Sequence, residues 1–216
     1  MENRIYILNT DQLYNTELFE YWYAKMPQER KKKIDSFCFQ KDKCLSLGAG
    51  IILYKGLLNA GAAYSELSYG KNGKPFLTGQ NDIYFNLSHS EKMAAGIFSD
   101  RTVGIDLEKE RHFDDDLINY VYLKSEIEYI QNSHEKQDIA FTKLWTIKES
   151  IMKYFGTGLS LEPKKICIDM QNGIHAFCEN FLCNNIYFTQ YTVNGYYITV
   201  CSEYDKLSCK PESVVL

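Results

Sequence analysis

In the run VGIDLEKE, Val103 to Glu110, one apolar residue separates two carboxylates, Asp106 and Glu108. Alternate side chains of a strand share a face. Val103, Ile105 and Leu107 are then expected to face a core. Asp106 and Glu108 point together to the other side, about 6–7 Å apart. Two such charges repel unless solvent or a cation screens them. Hard divalent ions such as Mg²⁺ take oxygen ligands, commonly one or two carboxylates plus substrate phosphates. A solvated edge strand accounts for the pattern equally well.

A second segment, LWTIKESIMKYFGTGLS (Leu144 to Ser160), carries an apolar helical stripe of Phe141, Leu144, Ile151, Met152 and Phe155. Glu149 and Lys153 fall at i,i+4 on its flank with Lys148 beside them. A glutamate sheltered by Trp145 and paired with a lysine suits a third metal ligand or a proton acceptor. An ordinary helix-surface ion pair is the plainer alternative. Gly156 and Gly158 are placed to end the helix. In a third segment, FNLSHS, His89 is expected to follow a strand directly, flanked by the hydroxyls of Ser88 and Ser90, which suits hydrogen bonding to a phosphate and equally a structural histidine. Positive charge recurs at Arg30, Lys31, Lys32 and Lys33 and at Lys71 and Lys74, a pattern that a solvated helix face most simply explains and that a phosphate site would also use. There is no G-x-S-x-G elbow, P-loop or G-x-G-x-x-G fingerprint, so those hydrolase and nucleotide-binding classes are not indicated.

The 216 residues, 45% apolar and 24% charged, are globular in composition and suit one large domain or two closely packed halves. Net charge is −4, so no global nucleic-acid footprint exists, yet Lys25 to Lys43 holds seven basic residues against three acidic. The seven cysteines are odd in number and include no C-x-x-C pair, which indicates neither a disulfide framework nor a structural zinc site. The first residues have no signal-peptide pattern, and the longest apolar run falls short of the ~20 residues a membrane span needs. A reduced, cytoplasmic, monomeric protein with no membrane or nucleic-acid partner is expected.

The elements that must position these residues follow from periodicity. Strands are expected at Ile5–Leu8, Ile83–Ser88, Met93–Phe98, Val103–Glu108, Lys165–Met170, Tyr187–Val193 and Tyr196–Cys201. Helices are expected at Thr16–Lys25, Lys41–Leu58, Asp116–Tyr122, Ser125–Gln131 and Ile139–Phe155. The order strand, helices, antiparallel strands occurs twice, joined near Arg101 to Gly104. The expected fold class is α+β: two similar α+β halves, residues 1–103 and 104–216, related by a pseudo-twofold axis with an active-site cleft between them.

In order and spacing, GKP (Gly73 to Pro75), FNLSHS, VGIDLE and LWTIKESIMKYFGTGLSL resemble the 4′-phosphopantetheinyl transferases of the Sfp type. The resemblance runs from about Arg30 to Leu161. It implies an enzyme that moves the phosphopantetheine arm of coenzyme A onto a serine of an apo carrier protein and releases adenosine 3′,5′-bisphosphate. By that resemblance Asp106, Glu108 and Glu149 are Mg²⁺ ligands, with Mn²⁺ a possible substitute. Glu149 is also the candidate base, and Lys153 contacts the pyrophosphate. Ser88, His89, Lys74 and Lys148 are implied coenzyme A contacts. Arg30, Lys33 and Ser46 fall where the 3′-phosphate is bound, with Arg and Ser in place of the more familiar Lys and Thr. Glu126 aligns with a frequently acidic position of open role. The family's carrier-docking region corresponds to His112 to Lys124, where Phe113, Leu117, Tyr120, Val121 and Tyr122 form either an apolar groove or part of the core. A non-catalytic coenzyme A or carrier-binding homologue and a Mg²⁺-dependent phosphohydrolase are the alternatives.

Overall fold

The computed structural model describes residues 2–64, 67–79, 82–170, 174–178 and 185–216. In chain order these form β1 (Arg4–Asn9), α1 (Thr16–Ala24), α2 (Gln28–Asp35), α3 (Gln40–Asn59), β2 (Leu67–Tyr69), β3 (Pro75–Leu77), β4 (Tyr84–Ser90), β5 (Met93–Ser99) and β6 (Val103–Lys109). There follow α4 (Asp115–Val121), α5 (Lys124–Gln131), α6 (Gln137–Phe155), β7 (Ile166–Asp169), β8 (His175–Cys178), β9 (Tyr187–Val193), β10 (Tyr196–Ser202) and β11 (Pro211–Ser213). The fold is α+β. Two compact units divide the chain: unit 1 comprises Met1–Thr102 and Ser208–Leu216, and unit 2 comprises Val103–Leu207. No described helix is long and apolar enough to cross a membrane.

Unit 1 is built on a sheet of order β11-β1-β5-β4, antiparallel except for the β11–β1 pair. Every residue of β5, MAAGIFS, is buried. Its small side chains let α3 lie close, where Leu47, Ile51, Ile52 and Leu57 cluster with Leu8, Phe85, Ala94 and Phe98. Each fully buried Leu, Ile or Phe contributes roughly 1.5–3 kcal/mol. The terminal stretch, expected in the second half, lies instead in unit 1. Ile5, Tyr6 and Ile7 pair with Pro211, Glu212 and Ser213, and Val214 N donates to Ile7 O at 2.8 Å. This short proline-led strand has no alternating pattern to reveal it. Nor was α2 expected: QERKKKID buries only Arg30 and Ile34, too little for an apolar stripe.

Unit 2 carries a sheet of order β6-β10-β9, antiparallel throughout, and α6 packs on β6 and β10. Phe141, Leu144, Ile147 and Ile151 of α6 meet Phe113, Tyr122, Ile166 and Ile168 in its core. Two contacts fix the seat of the helix. A Cβ added to Gly104 would lie 2.1 Å from Ser150 O and 2.6 Å from Tyr154 N, so only glycine allows β6 to approach this closely. Further along, the hydroxyls of Thr146 and Thr199 meet at 2.6 Å, and Gln190 Nε2 donates to Thr199 Oγ1 at 3.1 Å. Gly156, left-handed at φ +68°, ends α6 soon after Lys153.

Candidate active site

The strand β6 alternates as its sequence dictates, with Ile105 and Leu107 fully buried on one face. The opposite face is not the solvated edge that the residue pattern allowed. Because α6 covers it, Asp106 is only 3% exposed, while Glu108, nearer the strand end, is partly exposed. Burial brings Asp106 against α6, and its Oδ1 accepts a 2.6 Å hydrogen bond from Lys153 Nζ. The lysine therefore bonds to the strand carboxylate rather than to Glu149, its expected i,i+4 partner. Glu149 faces the same region. Its carboxyl is raised from an ordinary 4.5 to about 7, first by burial and then by the negative charge of Asp106. Lys153 opposes that rise, Glu108 adds to it, and Arg111 opposes it. Three carboxylates and one ammonium thus share one electrostatic neighbourhood.

Arg111 did not figure among the candidate residues. It follows the acidic pair closely, its guanidinium lies 4.7 Å from the centre of the Phe113 ring, and its charge reaches Glu149. A lone arginine after an acidic strand carries no local signal of such a role.

Lys148 requires a correction. The expected coenzyme A contact is 0% exposed and belongs to the core of unit 2. Its Nζ pairs with Glu126 Oε2 at 2.8 Å and donates to Val121 O, Pro163 O and Ile166 O at 3.1, 3.0 and 2.9 Å. An ammonium has three donors, and these acceptors exhaust them. Desolvation holds the lysine below its ordinary pKa, and the charge of Glu126 opposes the shift. Glu126, whose role was open, is the partner of this lysine. Of the expected docking residues, Phe113, Val121 and Tyr122 are also core, Leu117 is partly exposed, and Tyr120 is 65% exposed.

In unit 1, α2 brings Arg30 against α3: a Cβ at Gly50 would lie 3.0 Å from Arg30 Nε. Arg30 is 9% exposed and, among the described residues, its buried Nε has no hydrogen-bond partner; nor does the Ser46 hydroxyl, one turn before Gly50. Lys33, one turn after Arg30 on α2, has its pKa lowered by desolvation and by the Arg30 charge. Unsatisfied buried donors beside concentrated positive charge suit an anion. His89 lies within β4, not after it; it is exposed and Ser88 is buried. Lys74 is partly buried, and its carbonyl closes the β2–β3 turn by accepting from Gly70 N at 2.9 Å.

The acidic strand, the α6 glutamate and the lysine together form one cluster of interacting charges in unit 2. The family model of the 4′-phosphopantetheinyl transferase superfamily matches residues 102–201, which include all four groups. The chain is 25% identical over 226 aligned positions to the 4′-phosphopantetheinyl transferase Sfp of Bacillus subtilis, covering 99% of this chain and 96% of that protein. It is 28% identical to the 4′-phosphopantetheinyl transferase gsp of Aneurinibacillus migulanus, over 70% of this chain and 65% of that protein. With the 4′-phosphopantetheinyl transferase HetI of Nostoc sp. the identity is 32%, over 67% of this chain and 66% of that protein. The chain belongs to the 4′-phosphopantetheinyl transferase superfamily and is an enzyme of that class.

Proposed function

We propose that this enzyme transfers the 4′-phosphopantetheine group of coenzyme A to a serine hydroxyl of an apo carrier protein. The observation that carries the reading is the setting of Glu149, whose carboxyl is raised to about 7 by burial and then by the charges of Asp106 and Glu108, opposed by Lys153, which is itself bonded to Asp106. Three mutually repelling carboxylates, one raised by another's charge, are a donor set that a hard dication relieves. Among the described residues no group of three His, Cys, Asp or Glu side chains forms a ready-made cage. The hard dication proposed is Mg²⁺, which keeps waters and substrate phosphates in its shell. Asp106, Glu108 and Glu149 would hold it. When bound, the ion supplies Lewis-acid neutralisation of the pyrophosphate oxygens.

The residues themselves account for the rest. Glu149 accepts the proton of the carrier serine directly or through a water. The serine oxygen forms a bond to the phosphorus that carries pantetheine, and the bond to adenosine 3′,5′-bisphosphate breaks. Lys153 meets the charge that develops on the departing phosphate. Arg30, Lys33 and Ser46 are proposed to hold the 3′-phosphate, and Lys74, Ser88 and His89 other parts of coenzyme A. The proposal is tested by incubating the protein with an apo carrier, coenzyme A and Mg²⁺ and weighing the carrier. A mass gain of one phosphopantetheine group is expected, and no gain across several carriers overturns the reading. Release of inorganic phosphate without a carrier would instead identify a phosphohydrolase.

A further inference from the structure

We infer that the buried Glu126–Lys148 ion pair is a positioning device for Glu149: it fixes the rotation of α6 about its axis and so aims the next side chain at the Asp106 site. The inference rests on the role given to Glu149 above.

The pair joins five segments. Lys148 Nζ reaches the end of α4 at Val121 O, the turn at Pro163 O and the start of β7 at Ile166 O. Glu126 Oε2 takes both Lys148 Nζ and Leu123 N at 2.8 Å, and its Oε1 takes Ile168 N at 2.8 Å. Neither side chain is more than 1% exposed. Such a pair is a weak source of stability, because desolving two charges offsets their attraction, and apolar replacements of similar volume are often neutral or stabilising. Its distinguishing property is direction. The apolar contacts of α6 have no preferred bonding direction, whereas an ammonium held by four oxygens has one.

Consecutive helix residues diverge by about 100°. With Lys148 fixed on one side, Glu149 is directed toward the Asp106 side of the helix. Thr146 against Thr199 and the backbone of Ser150 against Gly104 hold the face beside it. A carboxylate about 6 Å from the helix axis moves about 1 Å for a rotation of about 10°. A displacement of that size can cost about a hundredfold in rate. The Glu126 carboxylate thus acts on the chemistry without approaching it.

The test compares wild type with the double variant Glu126→Gln/Lys148→Met, which removes both charges and keeps the volume. Turnover, KM for coenzyme A, the Mg²⁺ concentration for half-maximal rate and the urea midpoint are measured. The expected outcome is a folded variant whose unfolding midpoint falls, because Val121 O, Pro163 O and Ile166 O lose their donor, and a coenzyme A KM within twofold. Turnover falls at least tenfold, and the Mg²⁺ requirement rises at least fivefold. Wild-type turnover and Mg²⁺ dependence in the folded variant overturn the inference, as does a loss confined to coenzyme A KM, which marks direct contact. Should the double variant fail to fold, Lys148→Arg and Glu126→Asp, which keep both charges but alter their reach, carry the same comparison; wild-type values there overturn it. Absence of carrier modification by wild type itself strikes the proposed function and, with it, the role of Glu149 on which this inference rests, whereas a variant that matches an active wild type strikes this inference alone.

Discussion

Lys153 Nζ lies 2.6 Å from Asp106 Oδ1, so the last turns of α6 are tied by charge to the middle of β6. The bond spans 47 residues of sequence and places a cation among three carboxylates. Removing the ammonium should both raise the barrier and disturb its neighbours. For Lys153→Met, turnover is expected to fall about 10²–10³-fold, the range seen when one charge-stabilising donor is lost. In the same variant the Glu149 carboxyl should titrate above about 7, because Lys153 is one of the charges holding it down. Carbon-13 NMR titration of labelled glutamate reads this directly, and an unchanged or lower value contradicts the arrangement.

Asp106→Asn acts in the opposite sense on that titration. Loss of the neighbouring negative charge should move the Glu149 carboxyl down from about 7 toward 4.5. Mg²⁺ affinity should weaken at least tenfold by calorimetry while circular dichroism stays native. Near-wild-type turnover at saturating Mg²⁺ would remove Asp106 from the site.

The metal-free protein has a predictable response to pH. Folded Glu149 titrates near 7 and the unfolded residue near 4.5, so between these values the folded state binds more protons. Its contribution therefore favours the fold below that window and is lost as pH rises through it, at a cost of up to a few kcal/mol. Other carboxylates have slopes of their own, so the measurement is a difference. Urea midpoints in chelator should fall less steeply for Glu149→Gln than for wild type between pH 4.5 and 7. Parallel curves would show that Glu149 titrates normally.

Gly104→Ala tests the seat of α6. The new Cβ would sit 2.1 Å from Ser150 O, so strand or helix must move. Overpacking of this kind costs about 1–3 kcal/mol. Urea unfolding should show that loss, and turnover of the folded fraction should fall with it. A variant as stable and active as wild type would mean the two elements separate freely.

The unsatisfied donors of Arg30 and Ser46 yield a substrate-level prediction. Arg30→Ala and Ser46→Ala should each raise KM for coenzyme A several-fold with little change in kcat, the signature of lost uniform binding. With dephospho-coenzyme A, which lacks the 3′-phosphate, the variants and wild type should behave alike. Equal effects on both substrates would place the 3′-phosphate elsewhere.

The strand placement of Asp106 and Glu108, the start of β6 and the end of α6 were legible because strand alternation and helix periodicity are local signals. The partners of the charged residues were not. Lys153 had a nearby Glu149 on its own helix, and only the approach of β6, permitted by Gly104, made Asp106 the nearer acceptor. Lys148 stands in an exposed-looking polar pair with Glu149, and nothing within a few residues announces Glu126, 22 positions away in sequence. β11 and α2 were missed for a related reason: each is defined by what it packs on, and their own side chains are mostly polar.

The return of β11 to β1 has a genetic corollary. Asp106, Glu108, Glu149 and Lys153 all lie on one uninterrupted run of codons within Val103–Leu207, whereas unit 1 is assembled from both sides of that run. A premature stop after Leu207 would leave all four of these groups encoded. It would strip β1 of its parallel neighbour and unit 1 of the buried Val214 side chain. Damage from such a lesion should appear first as weakened handling of coenzyme A by the α3 unit, and only afterwards as a defect in the chemistry.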